Sequence, residues 1–280
     1  QCVNLIALLP TLVAYAYHAK RHNYDNESLY IHRPDEGLCT AENFLNLIRP
    51  SMSHTRLEAE LLDLCLVVHA EHGGGNNSAF SIHVVSSTDT DTYSAVSAAI
   101  GSLKGSRHGG ANIKVIEMMR EIKANVQNWQ SEVEVSEYLA KILKREAYDR
   151  SGLIYGLGHA VYTLSDPRAV LLKQRAGELA KEKGKEDEYA LYCLIEEIAP
   201  EVFRTVKHSK KTVAPNVDYY SGFVYSLLDI PEELYTPIFA ISRIAGWCAH
   251  RIEEVVHGGR IVRPAYRNVC DPIEYVSLDE

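Results

Sequence analysis

Apolar residues recur along this chain at intervals of three and four and nowhere sustain the alternation of a half-buried strand, which confines the chain to a mostly helical, all-α fold. Leu57, Leu61, Leu64, Cys65 and Val68 form one such stripe, and Val115, Ile116, Met119, Ile122 and Val126 form another. Further helices are expected over 4–18, 41–49, 90–104, 133–145, 167–182, 187–199 and 232–256. Helix starts are signalled by Ser53-His54-Thr55-Arg56 and by Ser165-Asp166-Pro167, which places a cap residue next to a proline suited to a first turn. The charged stretch 182–188 reads as a solvated helix–helix turn. No internal repeat is visible, and 280 residues with 46% hydrophobic content suffice for one large domain or two. The glycine-rich turn near 101–110 and a turn at Ser221-Gly222 separate helical blocks and are expected hinges.

A net charge of -8 argues against nucleic acid as a partner, because phosphate binding calls for a basic surface. An anionic ligand must then be held by a local cluster of arginines, lysines and helix N-termini. The six cysteines are scattered without a CxxC pair, which points to buried free thiols in a reducing, cytoplasmic setting. The apolar stretch 3–17, interrupted by Asn4 and Pro10, is expected to be too short to cross a membrane, and it lacks the basic flank of a secretory signal. A chain that starts with Gln1 and runs straight into an apolar helix reads as part of a longer protein.

Three stretches set one titratable side chain each beside glycine, asparagine or proline, residues that let a backbone turn sharply and approach a ligand. His108 precedes Gly109-Gly110-Ala111-Asn112 and a helix start, whose N–H groups and dipole would bind an oxygen and favour a neutral imidazole. The HGG pattern is weak by itself, since it recurs at His257-Gly258-Gly259, where a helix end is the better reading. His159 follows Gly156-Leu157-Gly158, with Arg168 near enough to bind a carboxylate or to pair with Asp166. Asp218 lies between Pro215-Asn216 and Tyr219-Tyr220, where it is a desolvated base or the cap of a helix starting near Ser221.

In His69-Ala70-Glu71-His72-Gly73-Gly74-Gly75-Asn76-Asn77-Ser78 the two histidines have metal-pair spacing on a helix. No HExxH pattern or further ligand completes a metal site, and the other readings are a helix end and a polar rim in which His72, Asn76 and Ser78 meet a ligand's oxygens. Arg243 falls inside an apolar helix with no acid within one turn, so it needs an anionic partner from elsewhere. Arg263, before Pro264, is an ordinary loop arginine.

Taken in order, these motifs resemble the citrate synthase family. The resemblance rests on His69 to His72, Arg107 to Asn112, Gly158 to Tyr162 with Asp166-Pro167-Arg168, Pro215 to Asp218, Ile241-Ser242-Arg243 and Arg263-Pro264, and it covers essentially the whole chain. It implies a homodimer with a large helical domain over 1–109 and 223–280, short of an N-terminal portion, and a small helical domain over 110–222 that closes over the substrates. By motif, Asp218 would take a methyl proton from acetyl-CoA, His108 would stabilise the enol oxygen, and His159 would polarise the oxaloacetate ketone. His72, Arg168, Arg243 and a partner subunit's copy of Arg263 would hold carboxylates, and citryl-CoA would be hydrolysed to citrate and CoA.

The acyl-CoA is then a substrate, with no tightly bound cofactor and no metal. Where relatives carry a basic residue after the His159 motif, this chain has Ala160 and Thr163, so Lys207, Lys210 and Lys211 are the candidates for the CoA phosphates. Two other readings share these residues: a 2-methylcitrate synthase using propionyl-CoA, and a non-catalytic CoA- or carboxylate-binding relative. One methylene is worth only ~1–3 kcal/mol of discrimination, so the sequence leaves the acyl group open. A metallohydrolase built on His69 and His72 is the remaining alternative.

Overall fold

The computed structural model describes residues 1–105, 108–158, 165–208, 213–265, 267 and 269. Helices α1 (Cys2–Asp25), α2 (Thr40–Ile48), α3 (Arg56–His69), α4 (Asn77–Ser86) and α5 (Thr92–Leu103) come first. They are followed by α6 (Ala111–Asn125), α7 (Glu132–Leu143), α8 (Pro167–Glu182), α9 (Glu186–Lys207), α10 (Val217–Leu227) and α11 (Tyr235–His257), with a 3-10 turn at Glu232–Leu234. Among the described residues the only extended pairing is a single antiparallel bridge, Leu157 with Pro215. The all-α expectation holds.

The expected start signals do their work at the backbone. Thr55 Oγ1 accepts from the Glu58 N–H while the Glu58 carboxylate accepts from the Thr55 N–H, closing a capping box at the head of α3. Glu58 is buried, and although burial opposes its charge, hydrogen bonds from Arg49, Lys183 and Thr55 hold its carboxyl down at about 2. Asp166 caps α8 with Pro167 in the first turn.

Buried side chains fall into two clusters. The larger gathers α2, α3 and α6 to α10, with Phe44, Leu61, Met118, Leu139, Leu172, Tyr192 and Phe223 among its members. The smaller, Ile82, Val96, Leu103, Ile244 and Trp247, lies where α11 packs on α4 and α5. Helix α11 also packs on α3 and α1, so it is the common partner of α1, α3, α4 and α5.

Four expectations change. Ser221 and Gly222 form no turn; they are buried within α10, where a Cβ on Gly222 would come within 3.0 Å of the Asn112 carbonyl oxygen. That glycine serves close packing of α10 on α6. Helix α9 does not stop before Pro200 but runs on to Lys207, because one lost backbone bond is outweighed by the partly buried Val202 and Phe203 beyond it. Helix α4 was not expected, since Asn76-Asn77-Ser78 reads as loop and its helix carries no clear apolar stripe. Helix α1 runs for 24 residues and is long and apolar enough to cross a membrane, contrary to the expectation from Pro10. Its inner face behaves as that of a packed helix: Ala14 is fully buried, and buried His18 Nε2 bonds the Leu47 carbonyl at 2.7 Å.

Candidate active site

The site assembles where α3 ends against α11. Gly246 permits that crossing, because a Cβ there would collide with Glu71 and the Ala70 carbonyl. Three residues earlier on α11, the buried Arg243 Nε donates to the His69 carbonyl at 2.6 Å, and the guanidinium carbon lies 4.8 Å from the centre of the Phe239 ring. Among the described residues, Arg243 Nη1 is buried without a hydrogen-bond partner, and so is His69 Nε2, while His69 Nδ1 bonds the Cys65 carbonyl at 2.8 Å. Burial brings Arg243 down to about 10; Glu71 and Asp218 oppose that shift and Arg168 adds to it. Burial likewise brings His69 down to about 4, which keeps it neutral. A buried cation with an unmet donor is a place where an anionic ligand supplies what the protein does not.

His108 stands in the turn between α5 and α6, half-buried, with its ring 6.0 Å from that of Phe239. Its Nε2 lies 3.0 Å from Ser78 Oγ, which also accepts from Trp247 Nε1 at 3.1 Å and lies 2.9 Å from Asn76 Oδ1. Ser78 has one proton to give, and Asn76 and His108 both face it. As placed, Asn76 Oδ1 accepts that proton; with the Asn76 amide turned so that Nδ2 donates to Ser78 Oγ, the proton goes to His108 Nε2 and the ring's own proton sits on Nδ1, the tautomer able to donate to an oxygen outside this network. Burial chiefly, with help from Arg243, lowers the His108 pKa, so desolvation favours the neutral ring. Ser78 is fully buried and is therefore a positioning partner of His108, not a rim residue.

The head of α10 carries the third element. Asn216 caps it, its Oδ1 accepting from the Asp218 N–H at 3.0 Å, so Asp218 lies in the first turn and is not itself the cap. The Gly156–Gly158 stretch runs alongside 214–216: Asn216 N–H donates to Gly156 O at 2.8 Å, Gly158 N–H donates to Ala214 O at 2.7 Å, and Asn216 Nδ2 reaches Gly158 O at 3.0 Å. Gly156 adopts φ +79°, and a Cβ there would crowd Tyr219 and Val115 at 2.8 Å. Two motifs 60 residues apart are thereby laced together. Desolvation raises Asp218 to about 6; Arg168 and Arg243 oppose the shift and Asp166 supports it. Asp166 accepts from Arg168 Nε at 3.0 Å, from Arg168 Nη2 at 2.8 Å and from the Val217 N–H at 3.2 Å, which fixes Arg168 beside the α10 start.

A neutral imidazole, a carboxylate with a raised pKa and two oriented arginines thus face a common region. Over residues 1–265 the chain matches the family model described as citrate synthase, C-terminal domain. The chain belongs to the citrate synthase family. It is 38% identical to the citrate synthase of Synechocystis over 99% of this chain and 64% of that protein, and 38% identical to that of Haloferax volcanii over 99% and 66%. Among solved structures, the citrate synthase of Pyrobaculum aerophilum superposes with a TM-score of 0.77 at 32% identity, covering 99% of this chain and 63% of that one. That of Thermoplasma acidophilum, in a ternary complex with carboxymethyl coenzyme A and oxaloacetate, gives 0.77 at 26% identity, covering 99% and 68%. The chain thus spans about two thirds of the length of the relatives it matches.

Against this citrate synthase frame the expected site residues divide. Arg243 is the common neighbour, exerting an electrostatic influence on both His108 and Asp218, with Arg168 acting on Asp218 and Arg243, and Asn76 reaches His108 through Ser78. His72 follows the end of α3 and does not share a helix face with His69, which closes that helix with its ring buried. His159, Lys210 and Lys211 lie outside the described residues. Lys207 ends α9 and donates to the Leu143 carbonyl at 2.6 Å, at the C-terminus of α7. Arg263 is exposed in the segment after α11. The sequence reading missed Phe239 and Trp247, which look like ordinary core aromatics until α11 is placed against α3 and α4.

Proposed function

We propose that the protein condenses acetyl-CoA with oxaloacetate and hydrolyses the resulting citryl-CoA to citrate and CoA. The observation that carries this reading is that Asp218, a carboxylate raised to about 6, lies within electrostatic reach of the buried Arg243, whose Nη1 has no hydrogen-bond partner among the described residues. Asp218 removes a proton from the methyl carbon of acetyl-CoA, and neutral His108 donates from Nδ1 to the thioester oxygen as the enol forms. The enol carbon attacks the ketone carbon of oxaloacetate, and His159 gives a proton to the new alkoxide. Water then cleaves the thioester, releasing CoA. Arg243, Arg168 and His72 bind the oxaloacetate carboxylates, with Asn76 at the rim, and Arg263 of a second copy completes the clamp in a homodimer. Closure of residues 110–222 over the large domain excludes water while the weak acid and base act.

Lys207, Lys210 and Lys211 face the CoA phosphates in this scheme, CoA is a substrate and not a resident cofactor, and no metal takes part. Free Cys39, Cys65 and Cys248 suit a reducing compartment such as the cytoplasm. The test is thiol release by the protein, expressed at full length, with oxaloacetate and either acetyl-CoA or propionyl-CoA. Turnover with acetyl-CoA that is lost in Asp218→Ala supports the reading. Preference for propionyl-CoA assigns a 2-methylcitrate synthase, and no turnover with either overturns the catalytic assignment in favour of a binding role.

A further inference from the structure

A second histidine cluster lies about two turns beyond Arg243 along α11 and takes no part in the scheme above. His83 Nε2 on α4 lies 2.9 Å from His250 Nδ1 on α11, with ring centroids 4.6 Å apart. Glu253, one turn after His250 on the same helix face, brings Oε2 to 3.6 Å from His250 Nδ1. One ligand atom from each of His83, His250 and Glu253 lies within 4.8 Å of the other two. We propose that these three side chains form a binding site for a divalent transition-metal ion of the zinc type.

The surroundings are those that a metal site requires. A metal-bound imidazole ordinarily hands its other ring N–H to a carboxylate, which fixes the tautomer and leaves a lone pair for the ion. His83 Nδ1 faces Glu254 Oε2 at 3.1 Å, and buried His250 Nε2 faces Glu71 Oε1 at 3.0 Å, off the axis of a good hydrogen bond. With the His83 proton on Nδ1 toward Glu254, His83 Nε2 is bare and points at His250. Without a metal, His250 can give its one proton either to His83 or to Glu71, and one contact goes unserved. A cation between the rings takes both lone pairs and lets the His250 proton go to Glu71, so all the groups are satisfied at once.

Geometry and charge agree. Two imidazole nitrogens on one tetrahedral zinc at ~2.0–2.1 Å stand roughly 3.3 Å apart, so the rings need to separate by only a few tenths of an ångström. Two nitrogens and a carboxylate oxygen select zinc, nickel, cobalt or copper over calcium and magnesium, and leave a further position for water. Glu71, Glu253 and Glu254 supply three negative charges to balance a dication. The scaffold is rigid: two helices carry the ligands, the glycine loop after His72 passes close enough that a Cβ on Gly74 would lie 3.6 Å from His83 Nε2, and Glu71 Oε1 also accepts from the His72 N–H at 2.9 Å.

The site is tested by stripping the protein with chelator, dialysing it, and titrating it with Zn2+ alone by calorimetry, with visible Co2+ absorption as a second readout. One ion per chain is expected, with Co2+ bands showing nitrogen coordination. Affinity should fall by 100-fold or more in His83→Gln and in Glu253→Gln, and about 10–100-fold in Glu254→Gln, which touches only the outer proton. Thermal melts confirm that each variant is folded. Absence of stoichiometric binding to the wild type overturns the proposal, as does binding that survives His83→Gln or is lost in His72→Ala instead.

Discussion

Asp166 and Asp218 sit at the same corner of the molecule, beside the first turn of α10, yet their carboxylates live under opposite rules. Asp166 is completely buried and accepts from the Arg168 backbone, Nε and Nη2 and from the Val217 N–H. Asp218, one residue beyond Val217, accepts no side-chain hydrogen bond among the described residues, and desolvation raises it to about 6. A carboxylate whose lone pairs are met by donors is a fixed anion that aims an arginine. A carboxylate left unmet holds its charge at a cost and is ready to accept a proton from carbon. Two identical side chains therefore divide, through their donors, into an anion that aims an arginine and a carboxylate with a raised pKa, the one proposed as the base.

Asp218→Asn should produce the largest effect, a fall in kcat of ~1,000-fold, typical of removing a positioned base. The same variant sharpens the contrast through stability. Because the folded-state pKa is raised, the ionised Asp218 costs stability at neutral pH, and that cost disappears as pH falls below the ordinary carboxylate range. Asp218→Asn should therefore be more stable than wild type at pH 7.5, by up to about 3 kcal/mol in denaturant melts, and the gain should shrink toward pH 4. Asp166→Asn should do the reverse, losing about 3 kcal/mol of stability because it removes a fully buried carboxylate that accepts from the partly buried Arg168 and from the Val217 N–H. Its KM for oxaloacetate should also rise as Arg168 loses its aim, with kcat changing less.

A smaller effect tests the imidazole's share. Ser78→Ala removes the partner of His108 Nε2 and leaves Trp247 Nε1 without an acceptor. A fall in kcat of about tenfold is expected, along with 1–2 kcal/mol of stability. Unchanged kcat in a folded Ser78→Ala variant would show that this hydroxyl does not set the His108 tautomer.

Much of this was legible in the chain, and the exceptions share a cause. Thr55 with Glu58 and Asp166 with Pro167 announce helix starts because capping is local chemistry, satisfied within a few residues. Helix α4 and the early start of α10 escaped because Asn76 and Asn216, residues that favour turns, are here the N-caps of helices held by tertiary packing. Pro200 gave a false stop for the same reason: α9 continues because long-range burial outweighs one missing N–H. In the site, His108, Asp218 and Arg243 stood out as titratable groups in unusual company. Nothing local could show that Gly246 admits Glu71 against α11, that Phe239 floors Arg243, or that His83 meets His250 across 167 residues.

The most direct test of the central claim is the pH dependence of kcat/KM for acetyl-CoA at saturating oxaloacetate. With Asp218 as the base, kcat/KM should climb about tenfold per pH unit in the acid limb and level off above about 6, and Asp218→Asn should abolish that limb along with most of the rate. A wild-type profile that is flat through that range, or an Asp218→Asn variant that keeps both the limb and the rate, would contradict it.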